Sequence, residues 1–360
     1  MRAHNLALVL HTVANSADRP SRAAIAAATG LTRATVSALV DDLVAGGLLT
    51  ELDPPPRTGA GRPAVGLALT SAGPAGLGLE INVDYLAACV VDLTGAVRQR
   101  FVEHADQRPA GAEGSLAALG ALAARARLAA EADGLIIAGA ALAVPGLVTA
   151  DGLIRVAPNL GWQDVDAPAL LREVPELADL PITVDNEANL AALGELRVTG
   201  GDPTYLYVSG EIGIGAGLIL DGDLYRGVRG WSGEIGHLTV FPDGRPCRCG
   251  AHGCLEQYAG QESLATDEPL AAQALGIALS AVVNLLDVPA IVLGGAYAPF
   301  FPRLRPGIEA ELHRRVLTAG LAPVTLRPAT LGADAAMRGA ADTVIRSVRD
   351  DPAAWLRRAG

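Results

Sequence analysis

Three thiols and an imidazole crowd into one stretch of this chain, His237-x9-Cys247-x-Cys249-x4-Cys254. Thiolate and imidazole are the ligands of tetrahedral zinc, and four protein ligands close the coordination sphere. The expected chemistry is therefore a structural Zn2+ site with no open position for catalysis. Gly250 and Gly253 let the chain turn tightly between ligands. His252 is a rival ligand, expected to be exposed, and Cys89 stands alone. Such crowding suits a metal in a reducing cytoplasm better than a disulfide framework.

A second group lies near the N-terminus. Ser21 can cap a short helix that stops at Gly30. Thr32 can cap the next, in which Val36, Leu39, Val40, Leu43 and Val44 form one apolar stripe ending at Gly46-Gly47. With that stripe buried, Thr32, Arg33, Thr35, Ser37 and Ala38 stay outside near the helix N-terminus. This is the plan of a helix-turn-helix recognition helix. Arg33 is the side chain there able to bridge two guanine acceptors, and the exposed N–H groups favour phosphate. The Pro/Gly-rich stretch 53–63 reads as a wing or linker, in which Arg62 could enter a minor groove.

These groups must be positioned by the elements around them. A helix over 4–14 completes a three-helix head. From Gly66 onward apolar strand-like runs appear at 76–82, 85–92 and 97–104, followed by an alanine-rich helix at 112–132 and a strand at 135–144. A second round has strands at 182–184, 204–209 and 214–220, helices at 187–198 and 270–287, a strand at 290–293, a helix at 300–317, a strand at 324–328 and a closing helix at 334–349. Two rounds of strands then helices predict an α/β body of two lobes. The expected division is 1–64 for the head and 65–360 for the body. Lobe one covers about 74–185 plus the closing helix, and lobe two covers about 186–333 with the metal loop at 237–254.

Composition narrows the class. Of the 360 residues, 50% are hydrophobic and 19% charged, which excludes wholesale disorder. Net charge is −11, and every basic residue is arginine. A polybasic nucleic-acid binder is excluded, but a small basic module on an acidic body is not. The first 64 residues hold six arginines against five acidic residues, and the remainder 22 against 34, so DNA contact is expected from the front of the chain. No signal-peptide pattern opens the sequence, and no apolar run is expected to approach the ~18 residues of a membrane span. A cytoplasmic protein with no membrane partner is expected.

The run Gly233-Glu-Ile-Gly-His237, followed by Cys247-Arg-Cys-Gly-Ala-His-Gly-Cys-Leu-Glu256, resembles the signature of the ROK family of repressors, open reading frames and kinases. Leu31-Thr-Arg-Ala-Thr-Val-Ser37 resembles the recognition segment of its repressors. Pro158-Asn-Leu-Gly-Trp162, Asn186-Glu-Ala-Asn189 and the glycines at 210–217 follow in the family's order. The resemblance implies an actin-like, hexokinase-type (ribonuclease H-like) sugar-binding body behind a winged helix-turn-helix. Asn159, Asn186, Glu234, His237 and Glu256 match its sugar-contact positions, Glu187 beside Asn186 is expected at the sugar with them, and their amides, carboxylates and imidazole suit sugar hydroxyls.

Kinase chemistry is expected to be absent. The resemblance puts an aspartate base directly after the asparagine, where this chain has Glu187. One added methylene shifts the carboxylate by about 1.5 Å, a displacement that can cost about 100-fold. Asp185 could substitute only with a shifted loop. The first phosphate motif reads Glu80-Ile-Asn-Val-Asp84, without its glycine and threonine, and the second has Glu211 and Ile212 where a Gly-Thr pair belongs. Leu293-Gly-Gly295 could still border a nucleotide cleft. The segment between Glu256 and the helix at 270–287 is shorter than the family implies. The resulting expectation is a sugar-responsive regulator, most simply a repressor, whose homodimer or dimer of dimers grips two half-sites of an operator. A sugar kinase with a DNA-binding head, and a regulator answering to a protein partner, are its rivals.

Overall fold

The structure, a computed structural model, describes residues 1–52, 65–199, 203–210 and 213–359. The head comprises helices α1 (Arg2–Ala14), α2 (Arg22–Thr29) and α3 (Arg33–Ala45) with strands β1 (Leu49–Leu52) and β2 (Gly66–Leu69). Its caps are local chemistry. Ser21 Oγ accepts the Ala24 N–H at 3.2 Å, Gly30 ends α2 in the left-handed region, and Thr32 Oγ1 accepts the Thr35 N–H at 3.2 Å. Leu6, Val9 and Leu10 of α1 meet Val36, Leu39, Val40 and Leu43 of α3 in the head's core. β1 pairs antiparallel with β2, Leu49 opposite Leu69, so the head runs past the expected boundary at 64. The expected wing at 53–63, with Arg62, lies outside the described residues.

Lobe one contains β3 (Pro74–Ile81), β4 (Tyr85–Asp92), β5 (Val97–His104), α4 (Gly111–Ala132), β6 (Ile136–Val144), β7 (Leu147–Val148), β8 (Ile154–Ala157), β9 (Trp162–Val165), α5 (Ala167–Arg172) and β10 (Ile182–Asn186). Lobe two contains α6 (Glu187–Thr199), β11 (Tyr205–Gly210), β12 (Ile214–Leu220), β13 (Asp223–Tyr225), α7 (Glu256–Ala259), α8 (Gln261–Thr266), α9 (Glu268–Leu286), β14 (Ala290–Gly295), α10 (Tyr297–Arg315) and β15 (Thr325–Pro328). The chain closes with α11 (Ala335–Asp350) and α12 (Pro352–Ala359).

The two main sheets share one plan. Their strand orders are β10-β6-β3-β4-β5 and β13-β12-β11-β14-β15, each with three parallel strands flanked by an antiparallel pair. Helices cover both faces, which is why β3 is buried at every position rather than alternating. α4 covers the outer face of the first sheet, α9 and α10 that of the second, while α6 and α11 form a layer between them. That layer is tight. A Cβ on Gly339 of α11 would stand 1.7 Å from the Leu190 carbonyl of α6, so only glycine fits.

Two expectations change, and one sheet is added. α9 is long and apolar enough to cross a membrane by composition alone, against the expectation that no such run exists. Here it packs on α10, with half of it buried in the protein, and an inner-layer helix needs apolar side chains on several faces. Residues 147–165 form a small sheet, β7-β8-β9, whose strands of two to four residues are too short to carry a period. The segment after Glu256 retains helical structure in short form as α7 and α8.

Candidate functional site

The metal ligands are brought together by a doubled-back loop. Val240 N–H donates to the Gly253 carbonyl at 2.8 Å and Leu255 N–H to that of Leu238 at 2.9 Å, pinning the cysteine end of the loop beside His237. Gly253 adopts φ +71°, and a Cβ there would collide with the Phe241 carbonyl. The ligand atoms of His237, Cys247, Cys249 and Cys254 all lie within 4.8 Å of one another. Cys249 Sγ and Cys254 Sγ are 3.7 Å apart, and Cys247 Sγ is 3.9 Å from His237 Nδ1. Two sulfurs held tetrahedrally at about 2.3 Å from a metal stand about 3.8 Å apart, so the donor set and its spacing fit such an ion. Gln257 Nε2 donates to Cys247 Sγ at 3.6 Å, an outer contact of the kind that orients a ligand. His252 is exposed and outside the cluster.

The same loop presents the candidate sugar groups. Glu256 opens α7 two residues after Cys254, and Glu234 precedes the short turn that carries His237. A Cβ on Gly213 would touch Glu256 Oε2 at 3.1 Å and Asn159 Nδ2 at 3.4 Å, which puts the lobe-one amide and the lobe-two carboxylate on one spot. Glu234 is exposed as a residue, yet its carboxyl titrates above the ordinary range. Displacement of water is the main cause, with His237 opposing it and Glu256 adding repulsion. Asn186 lies at the end of β10, where its Nδ2 donates to the Gly146 carbonyl at 3.0 Å and its Oδ1 accepts the Ala188 N–H at 2.8 Å.

Glu187, the next residue, faces different company. It lines a cavity of only about 20 Å³ with Glu80, Tyr85, Tyr207, Ser209 and Gly295. Glu80 is 3% exposed. Its Oε1 accepts from Tyr85 OH at 2.5 Å and its Oε2 from the Met337 N–H at 3.1 Å, in the first turn of α11. A carboxylate thus occupies a helix N-terminus that would otherwise attract phosphate. Tyr207 packs against Gly294, where a Cβ would lie 1.9 Å from its hydroxyl. Leu293-Gly-Gly295, the end of β14, therefore meets tyrosine. Sequence reasoning missed Tyr85 and Tyr207, because as strand aromatics they look like ordinary core residues. Asp185 has not taken the base position, since its carboxylate holds Arg226, Asn189 and the Asn186 N–H. Glu211 and Ile212 lie outside the described residues.

In the head, Arg33 is exposed at the start of α3, while Thr35 and Ser37 are half-buried. Thr32 and Thr35 hydroxyls share a 2.8 Å hydrogen bond. Arg2 pairs with Asp42, and Arg22 with both Asp41 and Glu51. Among the described residues of the head, that leaves Arg19 and Arg33 without an ion pair. The basic charge readable as DNA contact is thus smaller than the arginine count suggests.

Fold and site together define a two-lobed, actin-like body of the sugar-kinase kind carrying a winged-helix head. The chain belongs to the ROK family, whose description its residues 76–269 match, and residues 7–57 match the MarR family. The xylose repressor of Bacillus spizizenii is 29% identical over 360 residues, an alignment covering 92% of each chain. A crystal structure of a ROK family transcriptional regulator, a homolog of the E. coli MLC protein, superposes with TM-score 0.81 at 23% identity, covering 99% of this chain and 98% of its own. The ROK family glucokinase from Streptomyces griseus, solved with glucose and AMPPNP, gives TM-score 0.65 at 26% identity, covering 75% and 98%.

Proposed function

We propose that this protein is a sugar-responsive, DNA-binding repressor without kinase activity. The observation that carries the reading is the asymmetry of the interlobe cleft. Asn159 and Glu256 approach Gly213 and Glu234 feels the charges of His237 and Glu256, which supports a sugar on the metal-loop side, whereas Glu80, Glu187, Tyr85 and Tyr207 line the small space on the other. Asn186 supplies a further amide to the sugar, and Glu187 bounds the pocket without acting as a base. A pentose is the first effector to test, because the full-length relative is named for xylose.

The His237, Cys247, Cys249 and Cys254 set holds a structural Zn2+ in this reading. Bound there, the ion supplies positive charge and a fixed anchor. The chain's own groups do the rest: His237 keeps one ring nitrogen on the cluster and turns the other toward the ligand, and α7 aims Glu256 at the same hydroxyls. Thr32, Arg33, Thr35, Ser37 and Arg62 contact operator DNA. So few cations per head call for two heads on a homodimer or dimer of dimers, each taking one half-site, in the cytoplasm where the DNA is. Sugar binds two lobe arrangements unequally and so changes operator affinity, and reciprocity makes operator change sugar affinity by the same factor.

The test uses duplexes selected by the full chain from a random pool, followed by anisotropy titration with D-xylose, D-glucose and N-acetyl-D-glucosamine. One sugar should bind by calorimetry and weaken the DNA complex. A sugar that binds while operator affinity stays constant sinks the coupling, and ATP-dependent turnover near the enzyme median of about 10 s⁻¹ sinks the non-enzyme reading.

A further inference from the structure

The strand end that carries Asn186 is gripped from the other lobe. Asp185, one residue earlier on β10, has a largely buried carboxylate, its side chain 16% exposed. Its Oδ1 accepts the Asn186 N–H at 2.8 Å and Asn189 Nδ2 at 2.9 Å. Its Oδ2 accepts two donors from Arg226, Nη2 at 2.8 Å and Nε at 3.0 Å. Arg226 directly follows β13, the outermost strand of the second sheet, and begins the segment that leads to Glu234. One guanidinium of lobe two therefore holds the lobe-one strand end from which a candidate sugar amide projects.

The same edge of lobe two reaches the head. Asp223, at the start of β13, accepts from Arg346 of α11 at 2.7 Å. Arg346 lies 3.7 Å from Asp350, whose carboxylate is 3.0 Å from His11 Nε2 on α1. Asp185 and Arg226 also border a groove of about 620 Å³ whose far wall includes Val348, Trp355 and Arg358. Trp355 Nε1 donates to the Gly46 carbonyl at 3.0 Å, at the C-terminal end of the recognition helix α3. The outer pairs are exposed and individually weak. Arg226–Asp185 is the half-buried, two-donor, charge-assisted contact of the line.

We propose that Arg226 is an interlobe latch, a positioning residue outside the sugar contacts that ties lobe movement to the placement of the DNA-binding head. It rests on the cleft reading above for the identity of the trigger, and on the ion-pair geometry alone for the link to the head. Its partners belong to different lobes, so a lobe rotation whose axis lies away from the pair pulls it apart. Breaking it removes one restraint on the β13 edge, which stays paired with β12 and whose Asp223 meets Arg346 of α11, and so on how α11, α12 and the head are held.

The test compares the full chain with Arg226→Ala, Arg226→Lys and Arg229→Ala. Arg229 is an exposed arginine of the same segment, so its removal controls for lost charge. Sugar-free affinity for the selected duplex should change by about fivefold or more in R226A, the low end of typical coupling. R226K should recover part of it, and R229A should match wild type. Thermal unfolding verifies that each variant is folded. Equal behaviour of R226A and R229A overturns the latch. If none of the three sugars binds wild type while R226A still shifts DNA affinity, the cleft reading fails and the latch stands. If a sugar binds and releases R226A from DNA by the wild-type factor, the latch fails and the cleft reading stands.

Discussion

The two sides of the interlobe cleft differ in kind. On the metal-loop side, polar groups from separate segments come together: Asn159 and Glu256 both approach Gly213, and Glu234 feels the charge of Glu256. On the other side, Tyr85 and the Met337 N–H satisfy Glu80, and Tyr207 lines what remains, a space of about 20 Å³. A kinase needs both sides, one for the hydroxyl and one for the phosphates. A sensor needs only the first, and the second is then free to become core. The difference teaches that what fills a site is as informative as which residue stands at one position in it.

The largest test of this contrast is removal of the metal. Elemental analysis should find one zinc ion per chain in wild type and none in Cys247→Ser. Structural zinc contributes about 10–16 kcal/mol in small folded peptides, so the loop that presents Glu234 and Glu256 should lose its shape. Sugar affinity should fall by more than about 1000-fold, while the head, built from α1–α3 and β1–β2, keeps its DNA binding. Full sugar affinity in a metal-free variant would break the link between loop and cleft.

Next comes a matched pair of substitutions, one on each side. Glu256→Gln keeps the shape and removes the charge, and a hydrogen bond to a charged group is worth about 1.5–3 kcal/mol. Sugar affinity should drop about 10- to 100-fold by calorimetry. Tyr207→Phe, on the closed side, should leave it within about twofold. Similar losses in both would mean that the two sides act as one site.

Much of this was legible in the sequence, for stated reasons. The head was, because Ser21, Gly30 and Thr32 are caps whose chemistry is local. The ligand cluster was, because thiol and imidazole spacing constrains a loop whatever surrounds it. What filled the phosphate side was not. Glu80 and Met337 are far apart in the chain, and nothing local to either announces the hydrogen bond between them. α12 escaped notice because eight residues at a chain end carry little periodicity, yet its Trp355 anchors the head to the body. The membrane-length apolarity of α9 is ambiguous for a related reason. An inner-layer helix and a membrane helix share composition, and only the α10 partner separates them.

A smaller effect tests how dry the closed side is. Cys89 on β4 is fully buried and donates through Sγ to the Met337 carbonyl at 3.3 Å, on the same residue whose N–H Glu80 holds. Burial, the largest cause, pushes its thiol up to about 12. An unfolded thiol ionises near about 8.5, so above that pH the unfolded state releases its proton first. The stabilisation is complete below about 8.5 and is lost as pH rises toward 12, amounting to about 2 kcal/mol by pH 10. Denaturant midpoints should therefore fall across this window, and Cys89→Ala should flatten the fall. An equal slope in both proteins would mean that water reaches this strand.

The smallest expected effect is also the sharpest use of the comparison. Glu187→Asp gives the carboxylate length that the resemblance implies for the family's kinases at the position after Asn186. If that residue alone separated this protein from a kinase, turnover with ATP and a sugar should appear. The cleft argues that it will not. An aspartate at 187 would still look onto a cavity too small for a phosphoryl group, beside the Glu80 carboxylate that already occupies the N-terminus of α11. Adding an anionic triphosphate there would require breaking the Glu80 contacts to Tyr85 and Met337 and placing like charges together. No ATP-dependent phosphorylation above background is expected in a coupled assay, and no thermal shift with a non-hydrolysable ATP analogue, in the variant or in wild type. Turnover gained from this one methylene would show that the closed side opens, and the contrast between the two sides would then reduce to a single side chain.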